Sequence, residues 1–275
     1  MAETCMEHCS SEIETIPQQK TKSSKQKTHE LTSIKKMIGI ASGKGGVGKS
    51  IVTSLLASKM QKLGYKCAIL DADITGPSIP NSFGIETKIF ANQVGMFPAT
   101  SEQGTKIVSV NLMIDDVTDP IMWKAPIICG MVKQFYSEVI WKDIDYMFVD
   151  LPSGTSDVPL TVYQSLPLDG VIIVSTPQKM VSMIVEKAVK MTSKMKIPII
   201  GVVENMSYIN FPGCDEKMRI FGESRVEETA SLFGVEVTDR LPIDPKLARL
   251  ADQGNIESYD KQVLTNTISH LQKML

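Results

Sequence analysis

The eight residues Gly43-Lys44-Gly45-Gly46-Val47-Gly48-Lys49-Ser50 constrain this chain more than any other feature. They satisfy G-x-x-x-x-G-K-[ST] between an apolar run, Met37–Ala41, and a stretch with helical spacing, Ser50–Leu63, so that a strand, a glycine turn and a helix follow one another. Glycines let successive backbone N–H groups converge on phosphate oxygens with no Cβ in the way, and the helix start adds its positive end. Lys49 is then expected at the β- and γ-phosphates of a nucleotide and the Ser50 hydroxyl on Mg²⁺. A Gly-rich turn meets the four fixed positions by accident in a chain this long with a probability on the order of one percent.

Beyond Lys36, short apolar runs alternate with helical stretches. Met37–Ala41, Cys67–Leu70, Ile107–Val110, Tyr146–Val149, Gly170–Ser175, Ile197–Val203 and Val235–Leu241 read as strands, several of them apolar throughout. Ser50–Leu63, Pro126–Ile140, Met180–Met195 and Glu223–Phe233 read as helices. This alternation predicts an α/β fold: a doubly wound, mostly parallel sheet with helices on both faces. Ile74–Thr105, with Pro77, Pro80 and Pro98, reads as a long functional loop or hairpin excursion. Residues 34–275 are expected to form one P-loop ATPase domain, and residues 1–33 a polar tail unable to bury enough apolar surface to order itself.

Composition narrows the partners. A net charge of −2 gives no reason to expect nucleic acid or an acidic membrane, and no apolar run reaches the ~18 residues that cross a bilayer. The first residues lack the basic-then-apolar order of a secretory signal, so the expected compartment is the cytoplasm, with the five cysteines reduced. Cys67 and Cys129 lie on predicted elements and read as small buried hydrophobes. Cys5 and Cys9, one helical turn apart in the tail, could meet one metal or be incidental.

Acids at strand tips complete the nucleotide site. Met147-Phe148-Val149-Asp150 is an apolar strand ending in a carboxylate suited to a Mg²⁺ shell. Gly154, in the loop that follows, can offer its N–H to a γ-phosphate. Asp71 and Asp73 close the second strand, where doubly wound folds place ligands. Asn205, after the Ile197–Val203 strand, can offer an amide to a purine edge, and the Pro242–Asp244 loop can close the base pocket.

Lys44 gives GKGGVGKS, which resembles the deviant P-loop of the MinD/ParA/nitrogenase-iron-protein group. The resemblance implies that Lys44 crosses to a partner's nucleotide in a dimer closed over two ATP molecules. It places Asp73 near Mg²⁺ and the attacking water, with Asp71 in support. Further blocks are similar to the Mrp/ApbC family: Asp73-Ile74-Thr75-Gly76-Pro77-Ser78-Ile79-Pro80, Trp123-Lys124-Ala125-Pro126, Asp150-Leu151-Pro152-Ser153-Gly154-Thr155-Ser156-Asp157, Ser175-Thr176-Pro177-Gln178, Glu204-Asn205-Met206-Ser207-Tyr208, Ile220-Phe221-Gly222 and Leu241-Pro242-Ile243-Asp244-Pro245. They run in family order from about Lys36 to about Tyr259. The resemblance implies a dimeric, slow ATPase that carries iron–sulfur clusters to apoprotein clients, with ATP and Mg²⁺ as cofactors.

One departure stands out. The family places C-P-x-C after the ENMSY block, and this chain has Phe211-Pro212-Gly213-Cys214. A dimer then offers two Cys214 thiolates where a [4Fe–4S] cluster usually takes four. Cys5 and Cys9 could complete the site, the cluster could be smaller or transient, or carriage could be lost and the ATPase kept as a regulatory module. A MinD/ParA-like positioning ATPase is the other reading. It expects a basic membrane-binding terminal helix, yet Val263, Leu264, Ile268, Leu271 and Leu275 carry few cations beside them and suit a helix packed on the sheet.

Overall fold

Met37–Ala41 lies at the end of the strand β1 (Ser33–Ala41), whose last five residues are all buried, as a run apolar on both faces requires. In the computed structural model, which describes residues 25–74, 76, 78–113, 124–154, 157–178, 181–210 and 217–275, β1 sits near the middle of a nine-stranded sheet. The elements after it are α1 (Lys49–Lys62), β2 (Cys67–Asp71), α2 (Ile79–Ser82), β3 (Phe90–Ala91), β4 (Met96–Phe97), β5 (Ala99–Thr100) and β6 (Lys106–Val108). Then come α3 (Ala125–Ser137), β7 (Asp143–Asp150), α4 (Asp157–Ser165), β8 (Gly170–Ser175), α5 (Val181–Lys194), β9 (Ile199–Asn210) and β10 (Lys217–Met218). The chain ends with α6 (Val226–Leu232), β11 (Val237–Pro242), α7 (Pro245–Asp252) and α8 (Thr265–Gln272).

The sheet runs β11-β9-β8-β1-β7-β2-β6-β5, parallel from β11 to β6, with β5 antiparallel to β6 and β10 folded back on the end of β9. Alternate residues of one strand feed opposite faces. Met37, Met147 and Val149 pack beneath α3 to α6, whereas Ile38, Ile40 and Phe148 pack against α1, α2, α7 and α8. Each such fully buried side chain contributes about 1.5–3 kcal/mol. This two-sided core holds the strand tips rigidly, and the site is built on those tips.

The doubly wound sheet is as expected, and several details differ. β9 does not stop at Val203 but runs twelve residues to Asn210, so Asn205 lies within the strand; a register shift against β11 and a left-handed Met206 (φ 56°) bend it there. The Ile74–Thr105 stretch holds the short α2 and the β3–β4 hairpin, and its β5 joins the main sheet. Beyond the short β6, Val110–Leu112 forms a single 3₁₀ turn instead of strand. Cys67 is buried, but Cys129 is only half-buried, its sulfur accepting from the Thr161 hydroxyl across the α3–α4 contact. At the C-terminus Leu264, Ile268 and Leu271 are buried by the sheet, and Leu275 is half exposed. No helix among the described residues is long and apolar enough to cross a membrane.

Candidate functional site

The parallel register brings the site together. Ile40 of β1 lies beside Asp150 of β7, and Asp150 lies beside Asp71 of β2, so the loop after β1 and two carboxylates share one end of three adjacent strands. The loop itself, Gly43–Gly48, needs glycine where its backbone is left-handed, at Gly46 (φ 78°) and Gly48 (φ 81°). At Gly48 there is also no room, since a Cβ there would meet Asn205 Nδ2 at 2.2 Å. No side chain caps the start of α1, so its first N–H groups face the loop. The cleft so formed, about 260 Å³, is lined by the loop residues Lys44, Gly45, Gly46, Val47, Gly48, Lys49 and Ser50 and by Asp73 and Ser153.

Asp150 is fully buried and collects the donors. Ser50 Oγ donates to it at 2.6 Å and Lys49 Nζ at 3.1 Å, and the Thr53 hydroxyl, one turn along α1, lies 2.8 Å from it. Lys49 Nζ also reaches Asp73 at 3.3 Å. Burial alone would lower the Lys49 ammonium, but Asp150 and Asp73 outweigh it and hold the group above its ordinary value. Asp71 is driven well above the usual carboxylate range by burial and by Asp150 beside it, against a 2.9 Å hydrogen bond from Ser109. It also accepts from the Asp73 backbone N–H at 3.1 Å, which orients the loop that carries Asp73.

Gly154 and Asn205, expected at a γ-phosphate and at a purine edge, are engaged within the protein. Gly154 (φ 86°) donates its N–H to Ser42 O at 2.9 Å, tying the loop after β7 to the one after β1; a γ-phosphate would have to replace that carbonyl. Asn205 donates through Nδ2 to Val47 O at 2.9 Å, so it braces the glycine loop from behind. Lys44 is exposed, and its ammonium donates to Gln178 Oε1 at 3.1 Å at the tip of the neighbouring β8. Cys5, Cys9 and the Phe211–Cys214 segment lie outside the described residues, as does Trp123.

Sequence reasoning missed Thr53 and Ser109, and gave Gln178, named within a family-like block, no role of its own. Thr53 was legible in principle, three residues after Ser50 and so on its face of α1. Ser109 was not, because its partner Asp71 lies 38 residues away.

Hard oxygen donors from Ser50, Asp73 and Asp150 beside a phosphate-sized amide cradle suit Mg²⁺ bound together with a nucleotide. Among the described residues no group of three or more His, Cys, Asp and Glu side chains is arranged to hold a metal by itself.

The family model described as ParA, NUBPL iron-transfer P-loop NTPase, matches residues 33–275. An iron–sulfur cluster carrier protein of Clostridium perfringens is 46% identical over 235 residues, 82% of each chain. A cytosolic Fe-S cluster assembly factor NUBP2 homolog of Dictyostelium discoideum is 36% identical over 251 residues, 89% of this chain and 94% of that one. Among solved structures, a nucleotide-binding protein of Archaeoglobus fulgidus in complex with ADP is 40% identical with a TM-score of 0.74, covering 83% of this chain and 90% of its own.

Proposed function

The chain belongs to the ParA family in its NUBPL iron-transfer P-loop NTPase form, and from that premise we propose that it is an ATP-binding, slowly hydrolysing iron–sulfur cluster carrier that works as a nucleotide-switched dimer. The observation that carries the ATPase half is the convergence of Lys49, Ser50, Thr53 and Asp73 on or around the buried Asp150 at the mouth of the glycine loop. Relatives named as cluster carriers, at 36% to 46% identity, support the cargo.

ATP binding exchanges partners already in place. Lys49 leaves Asp150 and Asp73 for the β- and γ-phosphate oxygens, and the N–H groups of Gly45 to Ser50 take the remaining phosphate charge. Ser50, with Asp150 and Asp73, would hold Mg²⁺, which when bound would offset phosphate charge. Asp73, the more exposed acid, orients the attacking water. Gly154 exchanges Ser42 O for the γ-phosphate, so the loop after β7 registers its presence. Lys44 turns from Gln178 toward the partner subunit's nucleotide. A cytosolic assembly factor among the relatives supports a cytoplasmic location for the cycle, with iron–sulfur apoproteins as clients.

The cluster is cargo, and its thiolates come from the cysteines beyond the described residues. Cys67 is unsuited, because burial pushes its thiol far up, and Cys129 is committed to Thr161. Resemblance of Phe211-Pro212-Gly213-Cys214 to the family's C-P-x-C block makes Cys214 the proposed ligand, with Cys5 and Cys9 as further donors. Anaerobic reconstitution with iron and sulfide tests this. The wild-type protein should turn brown and hold at least twice the iron of Cys214→Ala. A colourless wild type, or equal iron in both, would leave a nucleotide-dependent module without cargo.

A further inference from the structure

Glu204 is a fully buried carboxylate in β9, outside the phosphate cleft and unused by the chemistry above. A buried charge is stable only when its lone pairs are met, and the residues that meet this one are telling. Ser207 Oγ donates to it at 2.5 Å and Ser224 Oγ donates to its other oxygen, while Arg240 Nε of β11 stands 3.8 Å away. Ser207 and Ser224 are the two ends of an excursion that leaves β9, folds back as β10 and returns to start α6. Its strands are pinned by the pairs Asn210 with Lys217 and Ile209 with Met218, and the Lys217 ammonium lies 4.5 Å above the Tyr208 ring. Ser224 Oγ also accepts from the Val226 N–H that opens α6. One carboxylate thus ties both ends of the hairpin.

The next residue faces the other way. Asn205 braces Val47 O of the glycine loop and leaves Gly48 no space for a side chain. Between Asn205 and Ser207 stands Met206, in a left-handed conformation that a non-glycine residue adopts only when its surroundings enforce it. Consecutive side chains on a strand point to opposite sides, so one rigid piece of β9 touches the phosphate loop with Asn205 and the hairpin base with Glu204.

From this juxtaposition we infer that Glu204 is a positioning residue that transmits nucleotide occupancy of the glycine loop to the β9–β10 hairpin, the segment whose sequence includes Cys214. When phosphate reorganises the loop carbonyls, Val47 O shifts against Asn205. Glu204 moves with it as part of the same strand, and the two serine hydroxyls carry the motion to both hairpin ends together. The inference rests on the ATP-switched reading above and adds the route by which the switch reaches the cargo-bearing segment.

Hydrogen exchange on the full chain tests it without any cluster. MgATP should slow exchange of the Ile209, Asn210, Lys217 and Met218 amides in the wild type by at least about fivefold, a coupling of ordinary allosteric size. Glu204→Gln keeps the side-chain volume but offers one carbonyl oxygen to two hydroxyls. Ser224→Ala cuts only the far tie and leaves the buried carboxylate its contacts with Ser207 and Arg240. Both should bind MgATP by calorimetry within about threefold of wild type while the hairpin response falls below about twofold. A purely structural Glu204 would loosen the hairpin equally with and without nucleotide. The inference is overturned if both variants keep the wild-type response, or if the wild type binds MgATP with no change at the hairpin. A wild type that fails to bind MgATP would instead overturn the ATPase reading, so the two failures are distinct.

Discussion

Lys49 is the only cation within hydrogen-bond reach of both Asp73 and Asp150 among the described residues, and Asp71 stands close enough to add to its field. Removing it leaves buried carboxylates without their counter-charge. Lys49→Ala should therefore lose MgATP binding and also lower the stability of the nucleotide-free protein by at least about 2 kcal/mol in urea unfolding. An unchanged urea midpoint would show that the carboxylates neutralise themselves. Asp244 shows the opposite protonation logic. Burial would raise it, but Lys261 at 2.7 Å, Tyr259 at 2.8 Å and the Lys246 N–H outweigh that and hold it below its ordinary 3.8. A depressed carboxylate stabilises the fold above the unfolded value and loses that contribution as pH falls through the folded one. Asp244→Ala, which also uncaps α7, should cost about 1–2 kcal/mol at neutral pH, and the gap from wild type should narrow below about pH 4; a gap independent of pH would assign the loss to the cap alone. These residues divide sharply in legibility. The glycine loop, Lys49, Ser50 and Asp150 could be named because local spacing specifies their chemistry. Ser109 and the roles of Gln178, Asn205 and Glu204 could not, because their partners lie 38 to 158 residues away or across a bend that no local pattern encodes.

Among the elements, β2, β8 and the last five residues of β1 and of β7 were readable because both their faces are buried and their sequences are mostly apolar. The far half of β9 was not. Glu204, Asn205 and Ser207 are polar yet buried, satisfied by groups from the P-loop, α6's approach and β11, so hydropathy alone ends the strand early. The helix α4 was missed because Pro159 reads as a breaker, although at the third residue of a helix it removes an N–H that has no intrahelical acceptor. A different local rule governs the contact of α2 with α7. Gly84 (φ 64°) and Gly254 (φ 71°) close these helices face to face, and a Cβ on Gly254 would stand 2.5 Å from Gly84 Cα. Gly254→Ala combines a left-handed strain with an immovable backbone clash and should destabilise by about 2–4 kcal/mol. Gly64→Ala is the control, since Gly64 (φ 93°) has nothing within 4 Å of its Cβ position, and it should lose only about 1–2 kcal/mol. Equal losses in thermal unfolding would show that the helix contact has room to relax.

At the scale of the whole molecule, two lysines of one loop have opposite surroundings, and the contrast bears on assembly. Lys49 is buried and bound to carboxylates of its own subunit. Lys44 is exposed, lies at the same end of the sheet, and is held by a neutral amide, Gln178. An exposed amide contact is worth roughly 1 kcal/mol or less, so a triphosphate presented by a second subunit can readily take the ammonium from it. In the proposed dimer, charge brought to a transition state from outside the subunit would make hydrolysis depend on encounter between subunits. ATPase activity per subunit should therefore rise with protein concentration in step with ATP-dependent dimerisation measured by sedimentation. Lys44→Ala should bind MgATP normally, because Lys49 and the loop amides remain, yet turn over about 100-fold more slowly, the usual loss when one preorganised charge is withdrawn. Its activity per subunit should also stay flat with concentration. Gln178→Ala separates holding from catalysis, since it frees Lys44 without removing it and should leave the maximal rate at high concentration intact. If the wild-type rate per subunit proves independent of concentration while Lys44→Ala is slow, Lys44 acts on its own subunit's nucleotide and the dimer is not the catalytic unit.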